Sequence, residues 1–353
     1  MSYAEVSDST VDSLQTSIPK RICLLRLSAI GDAIHALALV NGLRRLYPEA
    51  HLSWILDPIP YQAVRHQSNV DRFIVFDARR GFEGWRELAR ELRHEKFDLL
   101  LVPQMSFRSS LVSTLVRAEV KLGFDWARSR ELHWLFMNRH LPRGRVAHAQ
   151  DQFLEFLPAL GLEGYVPEWN LELTDEELAE SERWFAAIDR PVLALVLASS
   201  RPEKDWTPEG YAEVADVADR ELGLQPMLVG GPSRREREIA DAILARTRSR
   251  PIVALDRPVR TTLWKLRGSR VVVSPDTGPL HAAVAMNRPV VGLYGYSDPR
   301  RTGPYKRFQD LLVDHHGADP GKAINRTTHR GRMDGITADE VLEKIRLALQ
   351  RYP

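Results

Sequence analysis

The chain has 353 residues, 44% of them hydrophobic, which is enough for two cores rather than one. Lys and Arg (49) nearly balance Asp and Glu (47), and a formal net charge of +2 excludes a protein that coats polyanions in bulk, so any basic function is local. A single cysteine, Cys23, excludes an internal disulfide and a multi-thiolate metal site, and fits a reducing compartment.

The first twenty residues, MSYAEVSDSTVDSLQTSIPK, are polar and acidic, without the basic start and apolar middle of a secretion signal, and read as a flexible leader over 1–20. No stretch of the chain approaches the roughly 18 uninterrupted apolar residues of a membrane span, so the expectation is a soluble or at most peripheral protein. From residue 21 onward, short β-rich runs alternate with helical patterns. RICLLRL (21–27) opens the series and carries Cys23 as a small core residue. It runs into the turn LSAIGDAIHAL, which has a glycine but lacks the G-x-G-x-x-G spacing of a dinucleotide fingerprint. Asp32, at the helix entrance there, is either an N-cap carboxylate or a general base facing a cleft. His35, one helical turn on, is either its neighbour in a site or a helix-surface imidazole.

HLSWIL (51–56), RFIVF (72–76), FDLLLV (97–102) and VKLGF (120–124) continue the strand series. Between Arg117 and His148 stand seven Lys or Arg (117, 121, 128, 130, 139, 143, 145) against three acids (119, 125, 131), interleaved with Phe124, Trp126, Trp134 and Phe136. That mixture is either a solvated face or suits a phosphorylated, amphiphilic partner. Nucleic acid is not expected, given the balanced charge and the lack of an RNA-binding motif. The pattern breaks at GLEGYVPEWNLELTDEE, before an acidic helix start at Thr174, and this seam divides a first domain (21–165) from a second (166–335).

The second half repeats the alternation with VLALVLA, QPMLVG, PIVAL, RVVVS and PVVGLYG as strands. After the first of these comes SSRPEKDWTPEGY, with Ser199, Ser200, Arg201 and Lys204: hydroxyls and an ammonium suited to a diphosphate, or a solvated loop. GGPSRREREIA offers Gly230 and Gly231 for close approach, with Glu236 as an acceptor for a ribose or sugar hydroxyl. After RVVVS, the turn PDTG leads into a helix near Pro279. Its free N–H groups and helix dipole would hold a phosphate beside Thr277, Gly278 and His281, or Asp276 simply caps the helix. TADEVLEKIRLALQ closes the chain behind a capping box, Thr337 with Glu340. Residues 336–353 are expected as a helix packing back on the first domain. A serine elbow, H-E-x-x-H and G-x-x-x-x-G-K-[ST] are all absent, so hydrolase and ATPase readings have no support. Two doubly wound α/β units would face each other across a cleft at the carboxyl ends of their strands.

At SAIGD (28–32), SSRPEKDW (199–206), DTGPLHAA (276–283) and RPVVGLYGYSDP (288–299), the sequence resembles the lipopolysaccharide heptosyltransferases, the inverting glycosyltransferases of family 9. FDWARSRE and MNRH look closer to heptosyltransferase I than to the second enzyme. The resemblance covers nearly everything from Arg21 to the last helix. It implies the GT-B fold, two Rossmann-like domains facing across a central cleft. It further implies transfer of L-glycero-D-manno-heptose from ADP-heptose to a Kdo-containing inner-core acceptor, a Kdo-lipid A type molecule, with inversion. Asp32 then matches the catalytic base. Ser199, Ser200, Lys204, Glu236, Asp276, Thr277, Gly278 and His281 match the donor site, and neither a metal nor another cofactor is implied. Arg79, Arg80, Arg117, Lys121, Arg143 and Arg145 are the candidates for gripping acceptor phosphates and carboxylates. The implied location is cytoplasmic, with peripheral contact on the inner face of the inner membrane. Two departures stand out: Ala29 replaces a small hydroxyl residue common beside the base, and serines replace threonines at 199 and 200. The alternatives are a family 9 transferase with another donor or acceptor, and a nucleotide-sugar binding protein that catalyses nothing.

Overall fold

The structure is a computed structural model and describes residues 18–255 and 258–352. Residues 1–17 of the expected leader lie outside the described residues. The first half winds through β1 (Arg21–Leu25), α1 (Ile30–Leu46), β2 (His51–Leu56), α2 (Pro58–Val64), β3 (Arg72–Val75), α3 (Phe82–Leu92), β4 (Phe97–Leu101), α4 (Phe107–Leu115), β5 (Ala118–Gly123), β6 (Arg139–His140), α5 (Ala149–Leu154) and α6 (Phe156–Ala159). The second runs α7 (Asp175–Ala186), β7 (Val192–Val196), α8 (Pro208–Arg220), β8 (Gln225–Gly230), α9 (Arg234–Leu244), β9 (Ile252–Leu255), α10 (Val259–Gly268), β10 (Val271–Pro275), α11 (Gly278–Ala285), β11 (Val290–Tyr294), α12 (Pro299–Thr302), β12 (Leu312–Asp314) and α13 (Ala338–Arg351).

Each half forms one six-stranded parallel sheet, β3-β2-β1-β4-β5-β6 and β12-β11-β10-β7-β8-β9. Counted from its own first strand, each sheet has the same order, and that order reverses between β1 and β4 and between β7 and β10. The crevice outside the carboxyl ends at such a reversal is where open α/β sheets take ligands. The strands are near-continuous apolar runs because helices cover both faces; β7, β10 and β11 are buried along their whole length. α1 is apolar on almost every side, with all residues from Ala33 to Leu43 buried, since it packs on α2 and α5 in its own domain and on α11 of the other. Cys23 lies in this core. At another point of the seam, the buried Arg260 on α10 donates to the Ala63 carbonyl at 2.9 Å and to Glu177 at 2.7 Å, tying α2 to α7.

Capping boxes start α7 at Thr174 and α13 at Thr337. The short edge strands β6 and β12 had no apolar alternation to announce them, and β5 begins two residues before VKLGF. The expectation that residues 336–353 return to the first domain is corrected. The apolar stripe of α13 (Val341, Leu342, Ile345, Ala348) is buried against α8, β10, β11 and β12, so it covers the second sheet.

Candidate active site

The amino ends of α1 and α11 meet in the crevice, one from each domain. A Cβ on Gly31 would stand 2.6 Å from Cδ2 of His281, and one on Gly278 would stand 3.0 Å from the Ile30 side chain. Glycine at both positions is what allows the two backbones so close. Around this contact open two cavities. One of about 410 Å³ is lined by Ile30, Pro58, Ile59 and Ala78 on one wall and Ser200 and Thr277 on the other. The second, about 720 Å³, holds Asp32 and Lys204.

On the second-domain wall, Asp276 is buried and accepts on one oxygen from Lys204 Nζ at 2.7 Å, Ser297 Oγ at 2.5 Å and Thr302 Oγ1 at 3.1 Å. Burial pushes its carboxyl up, but the facing His281 imidazole and the Lys204 ammonium outweigh that and hold it well below the usual carboxylate range. Asp276 is therefore not the cap of α11. Thr277 occupies that position without a side-chain cap bond, so no side chain competes with an anion for the Gly278 N–H; Pro279 has no N–H, and that of Leu280 donates to the Thr277 carbonyl at 3.1 Å. His281 lies 3.7 Å from Asp276, beyond hydrogen-bond distance, with its ring 4.4 Å from that of His35. Ser199 is engaged in its own loop: its hydroxyl donates to the Arg201 carbonyl at 2.7 Å, and its N–H donates to Asp205 at 2.8 Å. Burial raises the Asp205 carboxyl to about 6. Glu236 accepts from the Gly231 N–H at 2.7 Å and the Ser233 hydroxyl at 2.5 Å and lines neither cavity. Binding a sugar hydroxyl there requires it to share those bonds.

On the first-domain wall, Asp32 is not the N-cap of α1, a position Ala29 holds; it stands three residues on and its side chain turns back to the Ala29 N–H. One oxygen accepts from the Ala29 N–H at 3.1 Å, and the same oxygen lies 2.5 Å from Arg26 Nη2, while the side chain keeps 34% exposure in the larger cavity. Arg26 is itself fixed, donating to the Pro103 carbonyl at 2.9 Å and lying over the Phe153 ring. His35 is no surface imidazole: it is buried, with Nδ1 on Gln150 at 2.8 Å, and burial, then the neighbouring His281 and His148, push it well below its ordinary value. The larger cavity gathers six cationic side chains, Arg26, Arg130, Arg201, Lys204, Arg301 and Arg326, around one carboxylate. Arg26 faces Asp32, and Lys204 faces Asp276. Burial, then Arg130 and Arg301, push the Arg326 guanidinium down. A site so charged suits a ligand with several anionic groups.

A profile of glycosyltransferase family 9 (heptosyltransferase) matches residues 85–329. The chain belongs to this family. It is 34% identical over 300 residues to the lipopolysaccharide core heptosyltransferase OpsX of Haemophilus influenzae, covering 85% of this chain and 86% of that one. It is 27% identical to the lipopolysaccharide heptosyltransferase 1 of Escherichia coli K12, covering 82% and 92%. Among solved structures, the E. coli heptosyltransferase WaaC with ADP superposes with a TM-score of 0.74 over 93% of this chain and 99% of that one, at 23% identity. The two facing Rossmann-like domains are thus the GT-B fold.

In this heptosyltransferase the arginines that converge on the cavity differ from those anticipated. Arg79 lines the smaller cavity, paired with Asp77 at 2.9 Å. Arg80 points to Glu87 and Glu83, outside both cavities. Arg117 is exposed just before β5, at the amino end of the strand and so opposite the crevice. Lys121 is half-buried and donates to the Ser113 carbonyl at 2.7 Å, and burial lowers its ammonium. Arg143 lies over the Trp126 ring, and Arg145 is exposed. Arg80, Arg117, Lys121, Arg143 and Arg145 line neither cavity. Arg128 is buried between Asp125 and Glu155, both at 2.5 Å. Arg130 was visible in the sequence as part of a basic stretch, whereas Arg301 and Arg326 carried no signal of their own. No helix among the described residues is long and apolar enough to cross a membrane.

Proposed function

We propose that this chain transfers L-glycero-D-manno-heptose from ADP-heptose to a Kdo-bearing acceptor of the lipopolysaccharide inner core, inverting the anomeric centre. The observation that carries the reading is Asp32 sharing one cavity with six cations, Lys204 among them, beside the second cavity that the uncapped start of α11 lines. ADP-heptose would place its diphosphate at that start. Lys204 and the Gly278 N–H then neutralise the charge that develops on departing ADP, a role a metal ion fills elsewhere. Asp32 accepts the proton of the acceptor hydroxyl as that oxygen attacks the anomeric carbon from the face opposite the leaving group. The new C–O bond forms, and the electron pair of the bond to phosphate leaves with ADP. Arg26 keeps the carboxylate aimed into the cavity. Arg130, Arg301 and Arg326 are our candidates for the acceptor's carboxylates and phosphates, with Arg79 at the other cavity. That E. coli WaaC was solved with ADP supports an adenine nucleotide donor.

Contact with the inner-membrane surface is part of the reading. Trp126, Leu132, Trp134 and Leu135 stand exposed within one loop of the first domain that also carries Arg130, and Phe107 is exposed nearby. Amphipathic aromatics with arginines suit a lipid interface with anionic headgroups.

Purified protein incubated with ADP-heptose and a panel of Kdo-bearing lipids should yield products heavier by one heptosyl unit in mass spectra. Lack of transfer to every Kdo acceptor, with turnover of another sugar nucleotide, would replace donor or acceptor; binding without transfer to anything would reduce the protein to a binding module.

A further inference from the structure

At the amino end of α5, whose Ala149 lines the larger cavity, the first domain reaches into the second. His148 caps α5: its Nδ1 accepts from the Gln150 backbone N–H at 3.0 Å. The ring proton therefore sits on Nε2, which donates to the carbonyl of Gly303 at 2.9 Å. Three residues on, Asp151 accepts from the Tyr305 hydroxyl. Gly303 directly follows Thr302, whose hydroxyl donates to the Asp276 oxygen that also receives Lys204. The Thr302 carbonyl is held from within the second domain by the Tyr294 hydroxyl at 2.7 Å. Residues 302 and 303 are thus pinned at one carbonyl by their own domain and at the next by the other. His148 is buried, with its ring 4.9 Å from Tyr305 and 6.1 Å from His35.

We infer that His148 is a positioning residue of the donor site, which sets the Thr302–Gly303 turn, and through it Asp276 and Lys204, when the two domains are together. It touches no reacting atom. The inference rests on the donor reading above and extends it, because the ammonium proposed to neutralise departing ADP is then in register only while the first domain holds Gly303. Losing that donor leaves a carbonyl at the domain seam without its partner, which favours movement of the turn.

Two substitutions separate this role from capping α5. Gln at 148 carries an amide nitrogen where the imidazole has Nε2, and so keeps the bond to Gly303. Asn carries an oxygen where the imidazole has Nδ1, and so keeps only the cap. Titration calorimetry of the full chain with ADP should show His148→Gln within about twofold of the parent and His148→Asn weaker by about tenfold. In steady state, His148→Asn should raise the KM for the donor more than it lowers kcat. Tyr305→Phe should shift ADP affinity in the same direction by less. Thermal melts establish that each variant is folded. ADP binding by His148→Asn equal to the parent, or by His148→Gln as weak as by His148→Asn, overturns the inference and leaves the donor reading standing. A parent chain that does not bind ADP overturns the donor reading itself, and with it the inference.

Discussion

Asp32 and Asp276 both stand at the entrance to a helix in the same crevice, yet their surroundings differ. Asp276 is buried, and one of its oxygens takes three donors while Lys204 is locked against it. Asp32 is one-third exposed, with one arginine and one backbone N–H, and looks into a cavity rich in cations. The comparison teaches that the position at the sheet's reversal point makes a carboxylate available, while its partners decide whether it is locked into a wall or stays open to a cavity. A group that must take up a proton needs a free approach; a group that must hold a lysine needs none.

The largest effect that would sharpen this contrast is on turnover. Asp32→Asn should lower kcat by about 10²–10⁴, with ADP affinity nearly unchanged by calorimetry; transfer at the parental rate would remove Asp32 from the chemistry. Asp276→Asn should act the other way round. It leaves Lys204 without its counter-charge at a mostly buried site, so urea unfolding should show a loss of about 3 kcal/mol or more, accompanied by weaker ADP binding. An unchanged unfolding midpoint would mean that Asp276 is no organiser.

Acid should reach the seam between the domains. Burial lowers the His148 imidazole to about 4 from its ordinary 6.5. The unfolded chain therefore binds a proton that the native one refuses between those values. The contribution is fully present above pH 6.5 and is lost as pH falls toward 4, about 3 kcal/mol in all. Denaturant unfolding across that window should show the decline, with His148→Gln flattening part of it; identical pH profiles would discount the site.

A smaller effect is expected where the two walls touch. Gly31→Ala pushes a methyl group into His281, and overpacking of this kind costs about 1–3 kcal/mol. Melting together with donor KM would read it, and a neutral outcome would mean that the helix contact has slack. Least of all, Arg117→Ala and Arg145→Ala should stay within about 0.5 kcal/mol of the parent in stability and should transfer normally. A clear drop in acceptor turnover for either would return that arginine to the site.

Much of the site was legible because its parts are local. Turns such as SAIGD and PDTG put Asp32, Thr277 and Gly278 at strand-to-helix junctions whatever the rest of the fold does, and the strand runs needed only their apolar continuity. The cationic lining was not legible. Arg117, Lys121, Arg143 and Arg145 lie in the basic stretch that drew attention, but β5 ends and loop directions turn them elsewhere, while Arg301 and Arg326 arrive from isolated positions in the other domain. The destination of α13 was equally hidden, since an amphipathic stripe shows that a helix will be covered and does not say by which sheet.

The sequence by itself therefore determined two parallel α/β units, the turns at their carboxyl ends and the residue types offered there, because those depend on periodicity and on chemistry within a few residues. Only the tertiary structure decided that Gly31 meets Gly278, that Lys204 closes on Asp276, that His148 grips Gly303 and that six cations surround Asp32. Most of those juxtapositions join residues far apart along the chain, and packing two domains face to face is what fixes them.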